Sequence, residues 1–176
     1  ILGLGWETHN QNLMKNILLT GASGFIGNAF LKKLININLN LNEEYQIYYI
    51  KRPSTEISIE GATPLNLEEN SFEGFKFALK DKKFDYIYNF ASYGVNRKDQ
   101  NINEILDGNI IFLINLLRSI SHTPKLFINI GSCAEYGKID FGIEAEEDYA
   151  LRPQSIYASA KASSFYIGKN IAKENN

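Results

Sequence analysis

The stretch Asn16-Ile17-Leu18-Leu19-Thr20-Gly21-Ala22-Ser23-Gly24-Phe25-Ile26-Gly27 constrains this chain more than any other. Its apolar run 17–19 reads as a short buried strand. A glycine-rich turn follows, and Phe25, Ile26, Phe30, Leu31 and Leu34 then recur at helical spacing. Strand, glycine turn and helix in that order are the setting a dinucleotide fingerprint requires. One glycine permits the tight turn, one lets the backbone approach a pyrophosphate, and one lets helix and strand pack closely. The first helical turn then presents N–H groups and the positive end of its dipole to phosphate oxygens. Gly21, Gly24 and Gly27 give TGxxGxxG rather than GxGxxG, so the flanking elements carry as much of the argument as the glycines do.

Strands and helices alternate along the rest of the chain. Further strands are expected at 46–50, 62–67, 85–91 and 126–130, the second of them weakened by Pro64. Helices are expected at 71–80, 103–119 and 155–174. Residues 36–42 alternate Asn with Ile or Leu and read as a fraying helix end and a loop, because Asn is poor in both regular structures. Parallel strands need such crossovers, and crossovers are right-handed. The expectation is an α/β fold with a doubly wound parallel sheet of order 3-2-1-4-5. Its ligand crevice lies at the carboxyl ends of the strands, where strand 1 meets strand 4.

Bulk properties remove several classes. A chain of 176 residues can bury one real core, and 44% hydrophobic with 22% charged residues is ordinary for a globular domain. A net charge of −2 gives no electrostatic case for nucleic acid or an anionic membrane. No apolar run approaches the roughly 20 residues of a membrane span. The single Cys133 leaves no intrachain disulfide, no secretory signal is evident, and a cytoplasmic location is the default expectation. Residues 1–13 stand outside the pattern and read as an extension or tag, with a packing role at most for Trp6 and His9. Residues 14–176 read as the folded domain.

The next informative segment is Tyr157-Ala158-Ser159-Ala160-Lys161. Residues four apart share a helix face, so Tyr157 and Lys161 can point into one site. A phenol titrates near 10 when unperturbed, and a neighbouring ammonium favours the phenolate. Such a tyrosine can pass a proton to or from a hydroxyl near neutral pH. YxxxK alone is a common accident; behind a nucleotide fold it is not.

Together these segments resemble an extended short-chain dehydrogenase/reductase of the sugar-nucleotide epimerase/dehydratase/reductase superfamily. The resemblance covers residues 14–173. It rests on the 20–27 loop, on Asn89-Phe90-Ala91-Ser92 at the end of strand 4, and on Asn109 in its helix. It rests also on Gly131-Ser132-Cys133-Ala134-Glu135-Tyr136-Gly137 after strand 5, with Tyr157 and Lys161 beyond. It implies a Rossmann-like fold that binds NAD(P). Gly21, Ser23, Gly24, Phe25, Ile26, Gly27, Phe90, Ala91 and Ser92 are the implied cofactor contacts, with Asn66, Leu67 and Asn109 around them, Asn109 mainly as a structural residue. Ser132 is implied to hydrogen-bond the reacting oxygen, Tyr157 to exchange its proton, and Lys161 to hold the nicotinamide ribose and lower the tyrosine pKa. No metal is implied. His122 receives no role, and Cys133 reads as a small buried residue.

Two departures narrow the chemistry. Family dehydratases carry an Asp-Glu pair directly after the Ser/Thr, where this chain has Cys133-Ala134. Glu135 comes one residue later and should aim elsewhere, so water elimination is disfavoured. Strand 2 ends in Ile50-Lys51-Arg52-Pro53, where an NAD site places an acidic residue for the ribose hydroxyl. Lys51 and Arg52 suit a 2′-phosphate, which points to NADP(H), with NAD(H) still admissible. The expected reaction is NADPH-dependent reduction of a nucleotide-linked 4-keto sugar. A nucleotide-sugar 4-epimerase and a non-catalytic NAD(P)-binding sensor or scaffold are the alternatives. The superfamily adds a carboxyl-terminal substrate domain beyond the YxxxK helix. This chain is therefore expected to lack most sugar contacts and to expose the edge of strand 5. Helices 103–119 and 155–174 form the usual dimer surface of the family, so a homodimer is a further expectation.

Overall fold

The computed structural model describes residues 14–41, 44–80, 82–96, 98–99 and 101–174; the expectations for 1–13 fall outside them. Strands β1 (Lys15–Thr20), β2 (Tyr45–Lys51), β3 (Thr63–Asn66), β4 (Tyr86–Asn89) and β5 (Leu126–Asn129) form one sheet of order β3-β2-β1-β4-β5. Every pairing is parallel. This is the expected Rossmann-like, doubly wound α/β architecture. Pro64 is tolerated because β3 lies at a sheet edge.

Alternation along the strands sorts the core into two layers. Leu18, Tyr48, Ile50, Phe84 and Ile87 meet Phe75 and Leu79 of α2 (Phe72–Leu79) on one face. Ile17, Leu19, Ile47 and Tyr49 meet Leu31 of α1 (Phe25–Asn40) on the other, with Phe30 and Leu34 packed against them. Phe30 also packs its ring against Tyr88 and Phe90. Ser71 caps α2, accepting from the Gly74 N–H at 3.0 Å. His122 has a structural place, since its Nε2 accepts from the Phe84 N–H at 2.8 Å.

Two helical expectations need correction. The first helix does not fray at 36; α1 runs to Asn40. Asn38 is buried there, and its side-chain amide bonds both the Tyr45 carbonyl at 2.8 Å and the Tyr45 N–H at 2.9 Å. A tertiary bond to the start of β2 offsets the poor helix propensity of asparagine. The long helix expected over 103–119 is broken into α3 (Ile102–Leu106), a π-helical turn (Asp107–Ile111) and α4 (Phe112–Ser119). The buried Asn109 causes it. Its Nδ2 donates to the carbonyls of Ile105 and Tyr93, both at 2.7 Å, and so enters the helix ladder. Helix α4 packs against α2 on one side and against α5 (Ile156–Glu174) on the other.

Candidate functional site

The crevice opens where β1 and β4 part at their carboxyl ends. Gly21 turns there with φ +68°, and a Cβ on it would stand 2.6 Å from the Phe90 carbonyl carbon. A Cβ on Gly27 would stand 2.2 Å from the Gly21 oxygen. These two glycines therefore serve close approach of turn, helix and following loop. Gly24 is the N-cap of α1 and supplies no side chain, and the first turn of α1 carries no acidic residue. The dipole end and the first N–H groups of α1 are thus left for an anion. Gly21, Ser23 and Gly24 line a cleft of about 200 Å³ together with Arg52, Phe90, Ala91 and Ser92. A cradle of glycine backbone at a helix N-terminus fits a dinucleotide pyrophosphate.

A ladder of side-chain hydrogen bonds runs across the strand ends beneath this cleft. The Thr20 hydroxyl donates to Asn89 Oδ1 and accepts from the Ala91 N–H at 3.2 Å. Asn89 Nδ2 donates to Asn129 Oδ1 at 2.7 Å. Thr20, Asn89 and Asn129 stand in register on β1, β4 and β5. The ladder holds the start of the loop after β4 against the glycine turn. Ser92 Oγ continues it, donating to Asn109 Oδ1 at 2.8 Å.

The remaining expected cofactor residues differ in exposure, with Phe25 and Ile26 in the first turn of α1. Phe25 is 95% exposed and Ile26 is 60% exposed at the head of α1. Leu67 is buried in the core, Asn66 is exposed, and Lys51 is half-buried at the end of β2, opposite Asn66. Of the cationic pair, Arg52 reaches the cleft wall. The sequence reading missed Thr55, Asn70, Tyr93, Asp107 and Gly108, which also line it. Asn70 is held by Asn115, whose Nδ2 donates to the Asn70 carbonyl at 3.0 Å. The hydrogen bond of Tyr93 to Glu104 pushes its phenol pKa up to about 12. No local motif marks these residues; the π-helical turn brings Asp107 and Gly108 to the cleft.

The second cluster lies after β5. Ser132 caps a 3-10 turn, Cys133–Tyr136, and its Oγ accepts from the Ala134 N–H at 3.3 Å. Glu135 turns back beneath this loop, as its offset from the dehydratase pair suggests. It is 7% exposed, and its Oε1 accepts from the Ser132 N–H at 2.6 Å. Cys133 is exposed, against expectation, because the inward side of the turn is taken by Glu135.

Lys161 is 4% exposed and donates from Nζ to the Ile130 carbonyl at the end of β5. Burial holds its pKa below the usual lysine value, and the charge of Glu135 opposes that shift. Tyr157 sits one turn earlier on α5 and is half-buried. Its ring edge lies over Gly94 in the loop after β4, where a Cβ would stand 3.5 Å from Tyr157 Cδ2. Gly94 has φ +93°, so the loop can pass close beneath the ring. The tyrosine thus faces the loop that borders the crevice.

Comparison with known proteins agrees with this geometry. A sequence model described as the NAD dependent epimerase/dehydratase family matches residues 17–176. The uncharacterized protein MJ1055 of Methanocaldococcus jannaschii is 31% identical over 164 residues, 85% of this chain and 49% of that one. Among solved structures, the UDP-glucose 4-epimerase of Thermotoga maritima with UDP-glucose superposes with a TM-score of 0.75 at 24% identity, covering 91% of this chain and 52% of that one. The UDP-glucose 4-epimerase of Thermus thermophilus in complex with NAD gives 0.74 at 21% identity, covering 91% and 51%. These structural likenesses speak to the fold. The chain spans about half the length of the curated relatives it matches. With a family match over residues 17–176, the glycine cradle and the Tyr157/Lys161 helix in place, this chain belongs to the NAD dependent epimerase/dehydratase family.

Proposed function

We propose that this chain carries the cofactor cleft and the proton-transfer residues of an NADPH-dependent reductase acting on the 4-keto group of a nucleotide-linked sugar. When bound, the dihydronicotinamide supplies a hydride to the ketone carbon. Tyr157 gives its proton to the oxygen, so ketone, hydride and proton together make one alcohol. Ser132 hydrogen-bonds that oxygen. Lys161, one helical turn from Tyr157, stabilises the phenolate left behind and holds the ribose. Gly21, Ser23 and Gly24 hold the pyrophosphate, and Arg52 holds the 2′-phosphate.

The observation that carries this reading is the burial of Lys161, at 4% exposure, on the helix that also bears Tyr157. Burying an ammonium is costly, and chains place one inside where its charge acts on a neighbour. The preference for NADPH rests on Arg52 in the cleft wall. A second reading, an NAD-dependent 4-epimerase, draws support from the NAD-bound epimerase of the same fold.

Titration of NADPH and NADH by nicotinamide fluorescence separates the two. Arg52→Ala should weaken NADPH binding about tenfold, or ~1.4 kcal/mol, and leave NADH unchanged. Tighter binding of NADH than NADPH by the parent protein transfers the argument to the epimerase. Tyr157→Phe should lose about 10²–10⁴-fold in turnover with cofactor affinity retained. Undiminished turnover in that variant overturns the mechanism.

A further inference from the structure

We propose that Glu135 is a positioning residue of this site: its buried carboxylate fastens the Ser132 loop and stands at the 130–131 backbone segment that also receives the Lys161 side chain, where it serves the lysine of the Tyr157 proton step. The proposal rests on the reaction class argued above and adds a residue to it.

The geometry is that of a knot with the carboxylate at its centre. Oε1 of Glu135 accepts the Ser132 N–H at 2.6 Å, and the Glu135 N–H returns to the Ser132 carbonyl at 3.0 Å. The Glu135 carbonyl accepts the Arg152 N–H at 3.0 Å, which ties the same turn to the segment leading into α5. Gly131 makes room for the carboxylate, since a Cβ there would stand 3.1 Å from Oε1. Lys161 Nζ bonds the carbonyl of Ile130, the residue before Gly131, so carboxylate and ammonium approach one peptide unit; at 7% and 4% exposure they are screened little by solvent. The elements packed against α5 carry other titratable groups: Glu104 on α3, Asp107 in the π-helical turn, Arg118 on α4 and Tyr136 beside Glu135. The charge of Glu135 favours the protonated form of Lys161, against the effect of burial. Tyr157 is the titratable neighbour on α5 itself. Glu135 thus opposes the desolvation that would strip Lys161 of the charge the phenolate needs.

Two variants separate the two roles. Glu135→Gln keeps an acceptor oxygen for the Ser132 N–H and removes the charge. Glu135→Asp keeps the charge and draws the oxygen back from Ser132. In the protein without cofactor, the lysine 13Cε resonance of Lys161, assigned by its loss in Lys161→Met, is followed against pH. Glu135→Gln should titrate Lys161 at lower pH than the parent protein, with an unchanged melting temperature. Glu135→Asp should titrate closer to the parent and melt earlier. In turnover, the alkaline limb of the kcat/KM profile should move to lower pH in Glu135→Gln, because charged Lys161 is exhausted sooner. A Lys161 titration that does not move in Glu135→Gln overturns the proposal. A titration that moves, in a parent protein that reduces no keto sugar, supports the link between Glu135 and Lys161 and overturns the reductase reading instead.

Discussion

At the scale of single residues, the sharpest constraint is Gly21. Its φ of +68° suits glycine, and any Cβ would press on the backbone of Phe90 and Ala91 at 2.6–2.7 Å. Gly21→Ala therefore meets two costs at once: a left-handed backbone worth about 1–3 kcal/mol, and a clash that backbone cannot relieve by rotating a side chain. The variant should melt several degrees earlier and lose affinity for nicotinamide dinucleotides, NADH and NADPH alike. A melt and a Kd like those of the parent would refute the close approach. The glycines, Tyr157 and Lys161 could be read from the chain because each belongs to a short local pattern. Glu135 could be placed only by exclusion. Its offset says where the carboxylate does not point, and folding of the 3-10 turn decides that it lies under Ser132.

At the scale of elements, asparagine side chains set two features that propensity misreads. Asn109 opens the helix after β4 into a π-helical turn, and Asn38 extends α1 by bonding Tyr45. Asn38→Leu removes a buried amide and leaves the N–H and carbonyl of Tyr45 without those partners. About 1–3 kcal/mol should be lost for such an unsatisfied buried group, read as a lower urea midpoint at unchanged m-value. A midpoint within error of the parent would show that water serves Tyr45 equally well. Strand positions and order were legible, since apolar runs separated by helical patterns leave few topologies. The π-helical turn was not, because Asn109 is held both by the Ile105 carbonyl of its own helix and by the Tyr93 carbonyl, sixteen residues away in sequence.

For the whole molecule, the two ends of the sheet are pinned differently. The carboxyl ends are joined by the neutral ladder of Thr20, Asn89 and Asn129. The amino ends meet at Asp85, which accepts the Asn16 N–H at 2.9 Å and pairs with Lys125 at 2.8 Å. The hydrogen bond from Lys125 leads the causes that hold the Asp85 carboxyl below its usual pKa, with burial opposing it. A depressed folded pKa means the unfolded chain takes up the proton first. The contribution of Asp85 is therefore complete above the unfolded carboxyl pKa and is lost as pH falls through the folded one. Melting temperature should drop on acidification, and Asp85→Asn should flatten that part of the curve. Lys125 is exposed and Asp85 half-buried, so the difference should shrink in part in high salt. An Asp85→Asn profile parallel to the parent's across the acid range would remove this account. Strand β5 closes one flank of the sheet, with no further strand beside it among the described residues.

The sequence by itself determined the parallel sheet, its strand order, the glycine turn at its centre and the helix that carries Tyr157 and Lys161. The glycine turn and the helix follow from spacing between near neighbours, and the sheet follows because alternating strands and helices joined by right-handed crossovers leave few topologies. Only the tertiary structure decided which residues wall the cleft, why Arg52 reaches it while Lys51 does not, and that the Glu135 carboxylate folds back onto the Ser132 N–H. Those outcomes depend on where separate loops meet over the strand ends. Such meetings are set by packing between distant segments, and local periodicity carries no record of them.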